Sequence, residues 1–248
     1  MVKKVKKFYS ALQKKILNMF YLNKKETRLV ILQRIELLSN FFKKVRKLFG
    51  RRLFTNFISK FFLNPTSVGR AYCKDMKNEY ETIRNYVNPQ NKTILSIGGG
   101  LGGLELILNK EFNVKSFTFI ERNFVSPKIK YGWDSNNNEG YNDLDLLKNF
   151  LIKNNLPSSK FTIFDYDKGV LPNTKFDLVI SLFSLDYHYD FNIYLDYLKK
   201  VSHKNTKIVF DTIRADYFKN IFKEIHILSS RTNTVHKSQR LICSDFLS

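Results

Sequence analysis

The chain has 248 residues, a formal net charge of +20 and 43% hydrophobic residues, enough for one α/β domain with a core and an appendage. No stretch reaches the roughly 18 uncharged apolar residues of a membrane span, and charged residues interrupt the apolar run that a signal peptide would need. Cys73 and Cys243 match no metal or redox spacing, so we expect reduced thiols of a cytoplasmic protein, with a disulfide between them as the alternative.

The positive charge is concentrated in a basic arm, residues 1–64. Residues 1–63 contain 17 Lys or Arg against Glu26 and Glu36, which gives a net charge of +15. Three interpretations are open: the solvated face of helices that pack on the domain, an anchor on an anionic membrane surface, and a nucleic-acid clamp. The many Phe residues favour the membrane, because a segment that follows phosphates needs lysines but little aromatic surface.

Hydrophobic periodicity divides the chain into helices and strands. In the basic arm it predicts helices over 1–22 and 26–49 and a third segment over 51–62. Residues 65–248 form one predicted domain in which helices alternate with short apolar strands, including a short helix over 215–222. The predicted strands span 93–97, 115–120, 160–164, 176–181, 206–211, 224–229 and 239–244.

An aromatic connection, residues 126–141, follows the second predicted strand. It contains Tyr131 and Trp133, the only Trp of the chain. Long connections of this kind are lids or disordered segments. The aromatic side chains favour a lid that packs on a bound substrate.

The first predicted strand runs directly into a glycine-rich turn. Gly98, Gly100 and Gly102 fit the pattern G-x-G-x-G, and Gly103 also completes G-x-G-x-x-G. Glycine permits the tight turn and lets backbone N–H groups approach a ligand at the start of the following helix. Glu121, at the end of the second strand, is placed to bind ribose hydroxyls. These residues leave S-adenosylmethionine, a dinucleotide such as NAD and a loop without ligand as alternatives.

Residues 75–248 resemble the class I S-adenosyl-L-methionine (SAM)-dependent methyltransferases. The family's glycine motif is matched by residues 94–102 and its fourth motif by Phe176-Asp177-Leu178-Val179. The last two predicted strands match a hairpin of this family that a dinucleotide-binding domain lacks. The resemblance implies an α/β fold with a seven-stranded, mostly parallel Rossmann-like sheet and an antiparallel last strand, preceded by the helical basic arm. It also implies SAM as the cofactor.

The resemblance assigns residues to the cofactor site. Ser96 stands where the family usually has an acid that steadies the methionine end of SAM, so this contact differs here. Asp167, five residues before Pro172, matches the acid that neighbours the adenine, and Asp165 is the alternative. The implied cofactor residues are Ser96, Gly98, Gly100, Gly102, Glu121, Asp165, Asp167 and Ser181, the last at the end of the fourth strand.

The segment that follows the fourth strand, residues 181–190, should meet the acceptor, because ligands of parallel α/β sheets bind outside the carboxyl ends of the strands. His188 is a candidate general base, with Asp186 as an orienting carboxylate, and a hydrogen-bonded loop histidine is the alternative. No cluster has the spacing of a metal site. The predicted substrate contacts are Ser184, Tyr187 and Tyr189, together with Tyr131 and Trp133.

The pattern Ser-Leu-x-Ser-x-x-x-His-Tyr, residues 181–189, resembles sugar O-methyltransferases of bacterial surface-polysaccharide pathways. The basic, Phe-rich run 46–57 is similar to segments of capsule and O-antigen enzymes. These resemblances imply methyl transfer to a hydroxyl of a small-molecule or glycan acceptor, by a cytoplasmic enzyme at the inner face of a membrane. The alternatives are an RNA methyltransferase that grips phosphates with the arm, and a non-catalytic, membrane-associated interaction module.

Overall fold

The computed structural model covers most of the chain. It describes residues 19–90, 92–127, 139–230 and 237–247, apart from the side chains of Lys47 and Ser230. Most of the predicted helix over 1–22 lies outside the described residues, as do Tyr131 and Trp133 of the predicted lid.

Helices and strands alternate along most of the described chain. The α-helices are α1 (Lys24–Gln33), α2 (Asn40–Phe49), α3 (Arg51–Phe61), α4 (Pro65–Ile83), α5 (Gly103–Glu111), α6 (Leu144–Lys153) and α7 (Asn192–Val201). The strands are β1 (Thr93–Ile97), β2 (Ser116–Glu121), β3 (Phe161–Asp165), β4 (Phe176–Ser181), β5 (Ser202–Thr212), β6 (Phe222–Ser230) and β7 (Gln239–Phe246). The short helix predicted over 215–222 is a 3-10 helix, Ala215–Asn220. Because β6 already begins at Phe222, the connection has no room for a longer helix.

The described residues form two compact units that divide between Asn78 and Glu79, inside α4. The N-terminal unit therefore includes the first turns of α4. There the Tyr72 ring packs edge-on against the buried Phe20 ring, with 5.4 Å between centroids. The Phe20 N–H also donates to the carbonyl of Gly69, at 3.2 Å.

The prediction of a single helix over 26–49 is wrong, because the α-helical conformation is interrupted between α1 and α2. α1 begins at a capping box, in which the Asn23 side chain accepts from the Glu26 N–H at 2.9 Å and the Glu26 carboxylate accepts from the Asn23 N–H at 2.7 Å. After Gln33 the chain turns, and Leu38 adopts an extended conformation with a buried side chain. The apolar spacing continues through this turn, so periodicity alone does not reveal the break.

The second unit contains a seven-stranded sheet in the order β3-β2-β1-β4-β5-β7-β6. The strands β1 to β5 run parallel to one another, whereas β7 is antiparallel to both β5 and β6. This arrangement confirms the predicted seven-stranded, mostly parallel Rossmann-like sheet with an antiparallel last strand.

The core of this unit is built on the central strands. Leu95 of β1 and Val179 of β4 are fully buried and belong to one apolar cluster with Phe191, Leu198 and Phe210. Parallel strands are covered by helices on both faces, which explains why their sequences are continuous apolar runs rather than alternating ones.

The strand order brings the predicted cofactor residues to one edge of the sheet. From β1 the sheet continues to β2 and β3 on one side and to β4 and β5 on the other, and ligands bind at the carboxyl ends of strands where the order reverses in this way. Gly98 follows β1, Glu121 ends β2, Asp165 ends β3 and Ser181 ends β4. Glu121 and Asp165 are direct partners across the ladder.

Candidate active site

The turn between β1 and α5 depends on glycine. Gly98, Gly100 and Gly102 have φ angles of +65°, +66° and +75°, in the left-handed region that other residues rarely occupy. Gly98 is also crowded, since a Cβ there would overlap the Ser184 hydroxyl and lie 2.6 Å from the Ser184 Cβ. α5 begins at the end of the turn, where the first N–H groups of a helix bind oxygen ligands.

The Glu121 carboxylate is bound to this turn. Its Oε1 accepts from the Gly100 N–H at 2.7 Å, and the Gly99 N–H and the Asn142 amide also donate to the carboxylate. Burial raises the pKa of Glu121 to about 8; these hydrogen bonds oppose the rise and the nearby Glu105 adds to it. A buried carboxyl with this pKa can change its charge when a ligand binds.

Asn142 is a site residue that the sequence did not indicate. Its side-chain amide donates to the Gly100 carbonyl at 2.7 Å as well as to Glu121, and the residue is buried. Asn142 directly follows the aromatic connection and precedes α6. An asparagine in a polar loop has no signature that separates it from a turn residue, so only the fold reveals this contact.

The Ser96 hydroxyl donates to the Glu105 carboxylate at 2.5 Å, and both side chains are buried. A buried acid therefore lies beside this position of β1, carried by the first turn of α5. Glu105 carries a signal that sequence reasoning missed, because it is a charged residue inside the apolar run Leu104–Leu108. Such a residue is either exposed or bound to a buried partner.

The residues of the glycine turn fit the ribose half of the expected cofactor, SAM. A carboxylate has about four acceptor sites, so Glu121 can accept from a ribose hydroxyl in addition to its backbone donors. Gly100 carries no side chain, which lets its backbone lie close to a nucleoside at the edge of the sheet.

The two candidate adenine acids differ in their surroundings. Asp165 lies at the end of β3 with its side chain mostly buried, and Lys168 Nζ is 3.6 Å from its Oδ2. Asp167 is exposed, and its Oδ1 lies 3.4 Å from Arg122 Nη2. The Arg122 guanidinium in turn lies over the Tyr166 ring, 5.0 Å from the centroid. Asp165 is also the direct neighbour of Glu121 in the sheet.

Ser181 and Ser184 connect β4 to the glycine turn. The Ser181 hydroxyl donates to the Ile97 carbonyl at 2.7 Å and accepts from the Leu185 N–H at 3.0 Å. The Ser184 hydroxyl lies 2.7 Å from the Tyr189 hydroxyl. Burial is the main cause that raises the pKa of Tyr189 well above its ordinary value, so this phenol stays protonated at neutral pH.

Asp186 was predicted to pair with His188, but it pairs with Arg214 instead. The carboxylate accepts from Arg214 Nη2 at 2.5 Å and from Nε at 3.1 Å, and it also accepts from the Thr212 hydroxyl at 2.5 Å. Asp186 is fully buried. The planar guanidinium holds this carboxylate in place, so Asp186 does not orient the His188 ring as predicted.

His188 is half-buried at the same edge of the sheet. The backbone N–H of His188 donates to the backbone carbonyl of Ser184 at 2.9 Å. Its ring makes edge-on contacts with the rings of Tyr187 and Tyr141, with centroids 5.0 and 6.4 Å away. The structure therefore brings the predicted base, Ser184 and Tyr189 together beside the glycine turn.

A buried charge network lies next to the acceptor segment, residues 181–190. The Arg240 guanidinium donates to both oxygens of Asp211, each at 2.9 Å, and to Glu79 at 2.6 Å. Arg240 and Asp211 are both fully buried. Asp211 also accepts from the Phe183 N–H at 3.0 Å, and Phe183 has a φ of +56° that is strained for a non-glycine residue. The network thus supports the loop that carries His188.

A protein-family model described as a methyltransferase domain matches residues 71–241. No curated protein matches the sequence. The match covers the glycine turn, the acceptor segment and all strands except the last residues of β7.

Several solved structures are similar to the chain. A precorrin-6y C5,15-methyltransferase from Geobacter metallireducens is 13% identical over 68% of this chain and 87% of its own, with a TM-score of 0.43. A ribosomal protein L11 methylase from Lactobacillus delbrueckii subsp. bulgaricus is 13% identical over 71% and 77% of the two chains, with a TM-score of 0.42. Coclaurine N-methyltransferase bound to N-methylheliamine and SAH is 14% identical over 61% and 38% of the two chains, with a TM-score of 0.41.

Proposed function

Because the chain belongs to the methyltransferase-domain family, whose fold it shares, we propose that it methylates a hydroxyl of a small-molecule or glycan acceptor, such as a sugar of a surface polysaccharide or glycolipid. Its methyl donor is SAM. When bound, SAM supplies an electrophilic methyl group on a positively charged sulfur. The observation that carries the proposal is the contact between the acceptor segment and the glycine turn, where Ser184 lies against Gly98.

The cofactor would be held by groups at the carboxyl edge of the sheet. We assign the ribose hydroxyls to Glu121 and the backbone of Gly98, Gly100 and Gly102, and the adenine to the neighbourhood of Asp165. Asp167 remains a second candidate there through its ion pair with Arg122. Ser96 and Ser181 act through other groups, because their hydroxyls bind Glu105 and the β1 carbonyl of Ile97.

The acceptor would be positioned by the residues around His188. A hydroxyl is a poor nucleophile at neutral pH, and a positioned base contributes roughly 10²–10⁴-fold to the rate. We assign His188 to accept the proton that the acceptor hydroxyl loses when its oxygen is methylated. The hydroxyls of Ser184, Tyr187 and Tyr189 supply hydrogen bonds that suit a polyhydroxylated ligand, and Tyr131 and Trp133 of the predicted lid supply faces for sugar rings.

Labelled methyl transfer tests the acceptor class. The protein is incubated with methyl-labelled SAM and, separately, with sugar nucleotides, a glycolipid extract and total RNA. We expect label in the sugar or glycolipid fraction, stable to alkali as a methyl ether and recovered as a methylated monosaccharide after acid hydrolysis. Label recovered as a methylated nucleoside would instead establish the RNA alternative. Binding of neither SAM nor S-adenosylhomocysteine (SAH) by the folded protein would favour the non-catalytic module.

The affinity for SAH should rise with pH about tenfold per unit below pH 8 and level off above it. The reason is that the Glu121 carboxyl, with its pKa raised to about 8 by burial, must be ionised to accept from Gly100, Asn142 and a ribose hydroxyl together. Binding should therefore release a proton. Calorimetry in two buffers of different ionisation enthalpy measures both the affinity and the proton release.

Glu121→Gln is the matched control, since it retains an oxygen for the Gly100 N–H but has no charge. Its SAH affinity should be weak and independent of pH. Because the folded-state pKa of Glu121 lies above its ordinary value of 4.5, the free wild-type protein loses stability as pH rises from about 4.5 to about 8. The variant has no carboxyl to titrate and should not show this loss. The difference in unfolding midpoint between the variant and the wild type should therefore favour the variant more at pH 8 than at pH 5. A wild-type affinity that stays flat through this range would contradict the assignment.

His188→Ala should reduce turnover by about two to four powers of ten while SAH affinity stays nearly unchanged. At saturating SAM, where the Glu121-dependent loss of affinity does not limit the rate, the wild-type pH–rate profile should show an acidic limb that the variant lacks. Single-turnover methyl transfer, measured with the acceptor that the labelling experiment identifies, checks both expectations.

Asp186→Asn provides the contrast for the base assignment. It weakens the pairing with Arg214 and Thr212, so its main effect should be a lower urea midpoint rather than an altered pH–rate profile. Normal turnover in His188→Ala, or an acidic limb that disappears only in Asp186→Asn, would show that His188 is not the base.

The basic arm, residues 1–64, is proposed to hold the enzyme at the inner, cytoplasmic face of a membrane, with the catalytic domain over 65–248. Among the described residues, no helix is both long and apolar enough to cross a bilayer. A lipid-linked acceptor would favour an enzyme that binds the membrane surface. An RNA methyltransferase remains the second candidate, because the same charge could bind phosphates.

A further inference from the structure

We propose that helices α2 and α3 form a docking surface for an anionic lipid bilayer, in which phenylalanines enter the acyl boundary and lysines and arginines bind headgroups. This inference rests in part on the proposed function, which places the enzyme at a membrane. It concerns the N-terminal unit alone.

The docking surface is organised around a connected set of phenylalanine rings, the phenylalanine cluster. Phe42 contacts Phe41 and Phe62, with centroids 5.6 and 6.3 Å apart, and Phe57 contacts Phe62 and Phe61 at 5.6 and 5.3 Å. Four of these side chains are 56–70% exposed, and only Phe42 is partly buried. A contiguous group of exposed aromatic rings marks an interaction site in a folded protein.

α3 separates its apolar residues into two faces. Phe54 and Ile58 are buried in the N-terminal unit, which is what a packed amphipathic helix requires. Leu53, Phe57 and Phe61 follow one another at intervals of four residues and are 71%, 56% and 61% exposed. Since the unit already buries one apolar face of this helix, the second face is available for a partner.

The charge of the same segment decides which partner fits. Residues 40–62 contain seven Lys or Arg and no Asp or Glu. Lys60 lies beside the cluster, with its ammonium 5.1 Å from the Phe61 centroid. An anionic bilayer offers headgroups for the cations and hydrocarbon for the rings at one surface. A nucleic-acid duplex would satisfy the cations, but its bases are already stacked and leave the exposed phenylalanines without an apolar partner. A single strand could stack on the rings but offers no hydrocarbon for Leu53.

Vesicle co-sedimentation of the full chain tests the proposal. The vesicles contain phosphatidylcholine alone or phosphatidylcholine with phosphatidylglycerol, at low and high salt. We expect binding only to the anionic vesicles, reduced but not abolished by salt because the hydrophobic component is not screened. Leu53→Ser/Phe57→Ser/Phe61→Ser should lower the partition coefficient on the order of 100-fold. Lys43→Gln/Lys44→Gln should lower it about tenfold at low salt, because each basic residue near the surface contributes.

The controls separate docking from folding and from catalysis. Val170→Ser/Ile152→Ser removes exposed apolar side chains of the second unit and should bind like the wild type. Unchanged urea midpoints are expected for all variants, because the altered side chains are exposed. Vesicle binding is measured without cofactor or acceptor, so its failure and the failure of the proposed methyl transfer are distinguishable.

Three outcomes would overturn the proposal. One is the absence of binding to anionic vesicles by the wild-type chain. Another is equal binding by the wild type and the Leu53/Phe57/Phe61 triple variant. The third is tight RNA binding that the Lys43/Lys44 variant loses and the triple variant keeps, without vesicle binding, which would assign the surface to nucleic acid.

Discussion

Replacing Gly98 with alanine is expected to abolish measurable SAH binding, with a loss of at least about 100-fold, because two independent constraints act at this position. The φ angle of +65° costs an L-residue about 1–2 kcal/mol. The new Cβ would also overlap the Ser184 hydroxyl and lie 3.1 Å from the Tyr189 hydroxyl. Either the glycine turn or the acceptor segment must then move, and both belong to the proposed site. Calorimetry with SAH measures the effect.

Gly169→Ala is the matched control. Gly169 has a φ of +86°, but a Cβ there would meet no atom within 4 Å. It therefore carries the same kind of backbone cost without the overlap, and should destabilise the protein slightly while leaving SAH affinity unchanged. Gly98→Ala/Ser184→Gly should recover part of the affinity by removing the overlap. Wild-type affinity in Gly98→Ala alone would show that the turn does not contact the cofactor.

Replacing Arg240 with methionine should destabilise the protein by about 3–5 kcal/mol, because removal of one partner leaves buried charges without compensation. Two carboxylates lose their cation: Asp211, which is fully buried, and Glu79, which is nearly so. Without Arg240, Asp211 is no longer held in place, so its hydrogen bond from the Phe183 N–H should weaken and the acceptor segment should shift. Urea unfolding at pH 7 measures the stability, and a second readout is the turnover of the folded fraction.

Two variants test whether the burial of the Arg240 network causes the expected loss of stability. Arg240→Lys retains the charge but loses the bidentate geometry with Asp211, so it should be destabilising by less than the methionine variant. Lys219→Met removes a cation whose partner is Asp216, in a pair that is highly exposed on both sides, and should have no measurable effect. A loss in Arg240→Met no larger than that in Lys219→Met would contradict the proposed role of the network.

The individual strands and the glycine turn could be predicted because they follow from local patterns. A short apolar run, a glycine turn and an apolar helix define the β1–α5 unit, and the acid at the end of the next strand follows from spacing. The predicted roles of Gly98, Gly100 and Glu121 rest on these local patterns. The mostly parallel sheet with its antiparallel end was implied by the family resemblance.

The remaining contacts depend on pairings between residues that are distant in sequence. Asp186 was predicted to act beside its near neighbour His188, but its partner is Arg214, 28 residues away. Arg240 binds Glu79 across 161 residues. No periodicity encodes such a pair, because each member is an ordinary charged residue until the fold buries it.

The hydrogen bond between Ser96 and Glu105 restricts how this chain can change during evolution. The pair works with the hydroxyl on the strand and the carboxylate on the helix, and the reversed order would satisfy the same contact. A lineage that exchanges the two one at a time passes through two adjacent carboxylates, which cannot both ionise in a buried site, or through two serines, whose short side chains leave the buried Ser96 hydroxyl without its acceptor. Both intermediates are disfavoured, so relatives with an acid at the position of Ser96 should carry a small hydroxyl residue at that of Glu105. The two positions should therefore drift together rather than independently.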